Sequence, residues 1–159
     1  MLHINIVCVG KIKEQYLRDA INEYSKRLSK YCNLSIIELQ DKKIPDRANS
    51  SIEMQVIDAE SKDIISHLSK DAYNICLDLK GKQLSSEGFA EKINNIQLTS
   101  STINFVIGGS LGFNDEVRKV CKESICFSKM TFPHQLIRVF LLEQIYRAFK
   151  INNNETYHK

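Results

Sequence analysis

Five short apolar runs alternate with helix-patterned segments along the chain, and this alternation constrains the fold more than any other feature. The runs cover residues 4–9, 34–39, 73–79, 103–107 and 124–127. Each reads as a short strand, the first of them buried and ending at Gly10. Between the first two lies a helix over 14–29, with Leu17, Ala20, Ile21, Tyr24 and Leu28 on one face. A second helical pattern follows from Ile52, Val56 and Ala59 to Ile64, Ile65 and Leu68. Ser85-Ser86-Glu87 caps a third, ending near residue 96, and Asn114-Asp115-Glu116 opens a short fourth. Pro133 suits the first position of a last helix, which runs to about residue 150. Such an order predicts an α/β fold: a mostly parallel sheet flanked by helices, in one domain over residues 1–159. The polar stretch 41–51, with Pro45, reads as a loop, Lys80-Gly81-Lys82 as a solvated turn, and 41–71 as the one candidate insertion.

Leu136, Ile137, Val139, Phe140, Leu141, Leu142, Ile145, Tyr146 and Phe149 cover more of the last helix than one core-facing stripe requires. A helix apolar nearly all round is buried on several sides. In so small a protein, either a second copy of the chain covers it, as in a two-fold dimer, or it runs through the centre of a monomer. The homodimer is the expectation.

At 159 residues and 43% hydrophobic, the chain can build one core but not two ordinary domains. Five cysteines form no C-x-x-C pair, and Cys8, Cys76 and Cys126 lie in strand-like runs, where a thiol acts as a small hydrophobe. The chain begins without a basic, long-apolar leader, so the expectation is a reduced, cytoplasmic, soluble protein with no membrane span. A net charge of +3 permits an RNA partner without demanding one.

Two loops follow strand-like runs, where open α/β sheets hold their ligands. Gly108-Gly109-Ser110-Leu111-Gly112 has neither G-x-G-x-x-G spacing nor a following Gly-Lys-Ser/Thr. It offers exposed backbone to a flat ring and its hydroxyls, or else it is a tight turn needing positive φ. The second loop, 127–134, mixes apolar walls (Phe127, Met130, Phe132) with polar handles (Ser128, Thr131). His134 stands at the start of the last helix, as a structural residue or a proton acceptor. No partner at ligand spacing makes it a metal site. Arg138, Arg147 and Lys150 read as the polar side of that helix. The tail Tyr157-His158-Lys159 is either inert or a stacking surface for a base beside phosphate.

Several segments in fixed order carry a family resemblance: Val9-Gly10-Lys11, Gly81-Lys82-Gln83-Leu84-Ser85-Ser86-Glu87, Phe105-Val106-Ile107-Gly108-Gly109-Ser110, the stretch from Phe127 to His134, Glu143-Gln144-Ile145-Tyr146-Arg147-Ala148 and the closing Tyr157-His158. Together they resemble the RlmH family, the SPOUT-class ribosomal RNA large-subunit methyltransferases H. The resemblance implies an S-adenosylmethionine-dependent enzyme that methylates N3 of a pseudouridine in 23S ribosomal RNA, as a homodimer with a C-terminal trefoil knot; the modest net charge makes the assembled ribosome the expected substrate. It implies cofactor contacts at Leu77, Gly108, Phe127, Ser128, Lys129, Met130, Thr131 and Phe132. His134, Tyr157 and His158 are the catalytic candidates by residue type, and Arg138, Arg147, Lys150 and Lys159 the candidate phosphate contacts. Where relatives usually have Gly before the terminal Tyr-His, this chain has Asn154, which tolerates positive φ. Two other readings compete: a non-catalytic ribosome-binding factor that keeps the pocket, and a dinucleotide enzyme, which the missing fingerprint disfavours.

Overall fold

A computed structural model describes residues 1–159. Five strands, β1 (Leu2–Val9), β2 (Cys32–Leu39), β3 (Tyr73–Gln83), β4 (Thr102–Ile107) and β5 (Glu123–Cys126), form one sheet of order β2-β1-β4-β3-β5. Every pairing is parallel. The helices are α1 (Gln15–Leu28), α2 (Ser50–Ser66), α3 (Ser86–Ile96), α4 (Asp115–Val120) and α5 (His134–Asn152).

Strand alternation sorts the core into two layers. Ile4, Ile6, Ile75, Ile103 and Phe105 face α1, α3 and α5, and join Leu28, Phe89, Ile93, Leu141 and Ile145. Val7, Val9, Cys76 and Val106 face the other way, toward Ile64 of α2 and Val117 of α4. All five cysteines are free and buried. Asn49, Ser85 and Asn114 cap α2, α3 and α4 by accepting backbone N–H bonds, which starts each helix where the sequence turns from polar to apolar.

Three expectations need correction. Lys80-Gly81-Lys82 is not a solvated turn: β3 continues through it to Gln83, and both Leu77 and Lys82 lie opposite Ile125, so the chain bulges over residues 78–81 and then resumes pairing with β5. Gly81 reads as a turn residue in sequence, yet it is needed here for close approach. Pro133 precedes α5 as its cap residue rather than opening it. The segment 41–71 is no separate insertion, because α2 packs across β1 and α4 as part of the second layer.

One buried polar feature crosses the sheet. Asn5 donates to Asn104, Asn104 donates to Asn74, and Asn74 donates to the Ser69 carbonyl, at 2.8, 2.8 and 2.9 Å. Asn5 and Asn74 flank Asn104 in register on the two neighbouring strands. Apolar neighbours would tolerate a one-pair slip that this ladder forbids. Replacing Asn104 with alanine orphans a donor and an acceptor together. Equilibrium urea unfolding should show a loss of about 2–3 kcal/mol; a loss below about 0.5 kcal/mol would mean the ladder is energetically idle.

Candidate functional site

The carboxyl ends of β3, β4 and β5 and the first turn of α5 enclose a cavity of about 910 Å³. Its position follows from topology: the connection after β4 leaves the centre of the sheet for the β5 edge, which opens a crevice beyond the strand ends. Seven of the eight residues expected there line it: Leu77, Gly108, Phe127, Ser128, Met130, Thr131 and Phe132. Lys129 is exposed and is not part of the wall.

The glycine loop folds back on itself. Gly109 and Gly112 form a bridge, with the Gly112 N–H donating to the Gly109 carbonyl at 3.0 Å. A Cβ on Gly108 would lie 2.9 Å from the Gly112 carbonyl carbon, so only glycine allows this closeness. Gly112 itself has φ of +80°, and the loop is therefore a tight turn as well as a cavity wall. Ser128 Oγ accepts from the Met130 N–H at 3.0 Å, which shapes the opposing loop. Met130 is 74% exposed and Leu79 57%, leaving an apolar rim.

Sequence reasoning missed a charged pair on the wall. Arg118 of α4 donates to Asp78 of the β3 bulge at 2.5 Å and to Asp115 at 2.8 Å. Burial opposes ionisation of Asp78, but the Arg118 bond and the Lys80 N–H outweigh it and hold the carboxyl below its usual range. These residues are 40 positions apart, and no local pattern joins them.

His134 lies on the cavity wall, with its Cε1 3.8 Å from where a Cβ on Gly10 would stand. Its Nδ1 is buried and has no hydrogen-bond partner. Burial pushes the ring pKa down, Arg138 adds to this, and Asp41 opposes it, so the imidazole is neutral at pH 7. The other two catalytic candidates lie on the tail. Tyr157 donates to Glu143 at 2.6 Å, and its pKa is pushed up to about 12, by burial first and then by Glu143. His158 is within 3.1 Å of Arg147 and 2.8 Å of Glu87. Glu143 also faces a smaller cavity of about 270 Å³, which shares Ile125, Cys126 and Phe127 with the large one.

The tail is anchored rather than frayed. Asn154 takes φ of 54°, and the Glu155 N–H returns to the Lys150 carbonyl at 2.9 Å, the pattern that ends a helix on a left-handed residue. Asn154 thus takes the turn that glycine would make. The Arg147 guanidinium sits 4.7 Å from the Tyr157 ring centre and binds Glu143, while Lys150 binds Glu155 and lies 5.7 Å from the Tyr146 ring. Lys159 is exposed.

Arg138 requires a correction. It does not lie on a polar face of α5 and has no access to a phosphate. Only 2% exposed, it donates to the Val9 and Gly10 carbonyls at 2.7 and 2.9 Å and to Glu38 at 3.0 Å. Those carbonyls lie at the end of β1, and Nη2 of the guanidinium serves both while Nη1 reaches Glu38.

Comparison with known proteins places this geometry among relatives. A family model described as "Predicted SPOUT methyltransferase" matches residues 2–158. A protein named ribosomal RNA large subunit methyltransferase H from Clostridium botulinum (strain Eklund 17B / Type B) is 54% identical over 159 residues, covering 99% of this chain and 100% of the relative. Proteins of the same name from Clostridium acetobutylicum and Clostridium kluyveri are 52% and 50% identical, with the same coverage.

Proposed function

Because the chain belongs to the SPOUT methyltransferases, and among them to the RlmH family, we propose that it methylates N3 of a pseudouridine in 23S ribosomal RNA, using S-adenosylmethionine. The observation that carries this reading is the cavity at the ends of β3, β4 and β5, walled by the two loops that the family resemblance marks for the cofactor. Its volume lies within the roughly 300–1,000 Å³ of small-molecule sites. The mixture of apolar side chains and open glycine backbone fits a ligand with a flat base, hydroxyls and an apolar stem. Gly108, Phe127, Ser128, Met130, Thr131 and Phe132 would hold it, and Leu77 would close the floor. When bound, S-adenosylmethionine supplies a methyl group activated on a sulfonium.

The protein then has to position, dehydrate and accept a proton. Holding two reactants in line is worth about 7–11 kcal/mol, which needs no covalent intermediate. His134 is the proton acceptor in this reading, since its ring is neutral and lies on the wall. Tyr157 is a poor base while it donates to Glu143, and both His158 nitrogens are engaged. Arg147, Lys150 and Lys159 serve as phosphate contacts, with Tyr157 as a stacking surface. Leu136, Ile137 and Val139 remain half-buried and Phe140 37% exposed on α5, which supports a homodimer sealed along that face. The modest charge favours the assembled ribosome in the cytoplasm over naked RNA.

A tritiated-methyl assay on ribosomes lacking the modification, with mapping of the labelled nucleotide, tests the reading. Label should enter one 23S position, and more efficiently in ribosomes than in naked RNA. His134→Asn should lower kcat about 100-fold or more. A neutral acceptor is required and its pKa is depressed, so wild-type activity should persist below about pH 6.5, the ordinary histidine midpoint, and fall only at lower pH. Binding of S-adenosylmethionine without methyl incorporation would instead favour a ribosome-binding factor that retains the pocket.

A further inference from the structure

α2 holds a buried acid that lies outside the cavity wall. Glu60 is only 4% exposed, and the neighbouring Ser61 is fully buried. A carboxylate in such a place is costly unless it serves several hydrogen-bond donors or a cation. No cation pairs with it within ion-pair distance. Its Oε2 accepts from the Lys42 backbone N–H at 2.9 Å. Its Oε1 lies against the glycine loop, 3.0 Å from where a Cβ on Gly109 would stand. Burial first, then the nearby Asp41 charge, raises its pKa, while the Lys42 N–H opposes the rise.

The two elements it touches both belong to the cavity's surroundings. Gly109 lines the cavity directly. Lys42 follows Asp41, whose Cβ and carboxyl carbon lie 3.8 and 3.9 Å from the place a Gly10 Cβ would take, beside the His134 ring. One turn of α2 also holds the far end of the glycine loop: Ser61 Oγ accepts from the Asn114 N–H at 3.0 Å, and Asp58 accepts from the Asn114 side chain at 2.9 Å. The loop is therefore gripped behind Gly109 and at Asn114 by consecutive residues of one helix.

We propose that Glu60 is a positioning residue: it sets the glycine loop at Gly109 and, through the Lys42 N–H, fixes the 41–42 backbone beside Gly10 and His134. Ser61 completes the grip at Asn114. The inference rests on the cofactor reading of the cavity. Glu60 does not line the cavity, and it acts by holding the backbone that does.

The experiment compares Glu60→Ala, Glu60→Gln, Ser61→Ala and the core control Val56→Ala, each as the full chain. Binding of S-adenosylmethionine is read by calorimetry, and KM and kcat by methyl transfer to ribosomes. Glu60→Ala should raise the Kd and KM for the cofactor about tenfold or more, the scale of a lost hydrogen bond to a charged group, with a smaller change in kcat. Glu60→Gln keeps an oxygen for the Lys42 N–H and should recover most of that loss. Ser61→Ala should weaken cofactor binding in the same direction. Val56→Ala, buried one turn before Glu60 on α2 and absent from the cavity wall, should lower the melting temperature without moving the cofactor KM. A Glu60→Ala protein that melts lower but binds the cofactor with wild-type affinity would overturn the proposal, leaving Glu60 a purely structural residue. So would a Gln variant no better than Ala. If wild type itself fails to bind S-adenosylmethionine, the cofactor reading fails, and that result is separable because it appears before any variant is made.

Discussion

Replacing Gly81 with alanine should dismantle the edge of the sheet that carries the cavity. A Cβ at this position would stand 2.6 Å from the Ile125 carbonyl carbon, 2.7 Å from the Ile125 nitrogen and 2.7 Å from the Ser124 carbonyl carbon. All three are backbone atoms of β5, so no side chain can swing aside. Relief requires β3 and β5 to part, which breaks the pairing of Lys82 and Gln83 with Ile125 and Cys126. Overpacking against a rigid neighbour costs typically 1–3 kcal/mol and occasionally more, and a backbone clash belongs at the top, about 3 kcal/mol. Thermal unfolding should fall by about 6–12 °C. Cofactor binding should fall with it, because Ile125, Cys126 and Phe127 form one wall of the cavity. Gly112→Ala gives the contrast. Its φ of +80° imposes strain of about 1–2 kcal/mol, but nothing lies within 4 Å to clash. A Gly81→Ala protein melting within about 2 °C of wild type would show that β5 is free to move, and the close approach would lose its importance.

Arg138→Met should be about as damaging, for an electrostatic reason. Its guanidinium meets two backbone carbonyls at the end of β1 and the Glu38 carboxylate; the carbonyls lose this donor together, and Glu38 keeps only the Ile12 N–H. Removing one member of a buried pair costs about 3–5 kcal/mol; Glu38, 35% exposed at its side chain, recovers some solvation, which puts the expected loss near 3 kcal/mol. Arg138→Lys should restore only part of it, since a lysine lacks the second nitrogen by which the guanidinium reaches Glu38 while Nη2 serves the Val9 and Gly10 carbonyls. Urea unfolding at neutral pH reads both variants. The same proteins separate a buried strut from an RNA contact. Removing a phosphate contact lowers the salt dependence of RNA binding by about 0.7–0.9 per charge. Arg147→Gln and Lys159→Gln should show that change, whereas folded Arg138→Met should not. A reduced slope for Arg138→Met would return it to the RNA surface.

These two residues also mark where sequence reasoning succeeds and fails. Patterns within a few residues were enough to find all five strands, all five helices and the caps at Ser85 and Asn114, because hydrophobic period and cap chemistry act locally; Asn49, the cap of α2, was read as part of a loop. The two loops were visible too, and seven of eight expected lining residues lie on the cavity wall. Lys129 faces solvent. Arg138 was misread because its partners sit 100 to 129 positions away, and a charged residue among apolar ones looks solvent-facing when only its own helix is considered. Gly81 was misread for a related reason: a Lys-Gly-Lys segment has turn chemistry, and only the β5 backbone reveals that the glycine is there for space. Glu60 and the Asp78–Arg118 pair gave no local signal at all.

By itself, then, the sequence determined the class of fold, the order of its elements, the two loops at the strand ends and the family. Periodicity, capping and motif order are properties of neighbouring residues, and they survive without coordinates. Only the tertiary structure decided that β3 bulges and returns to β5, that Arg138 is a buried strut, that Asn154 makes the final turn and that α2 braces the glycine loop. Each of those depends on groups distant in sequence being brought within a few ångströms, where exclusion of water makes a missing donor or an extra methyl costly.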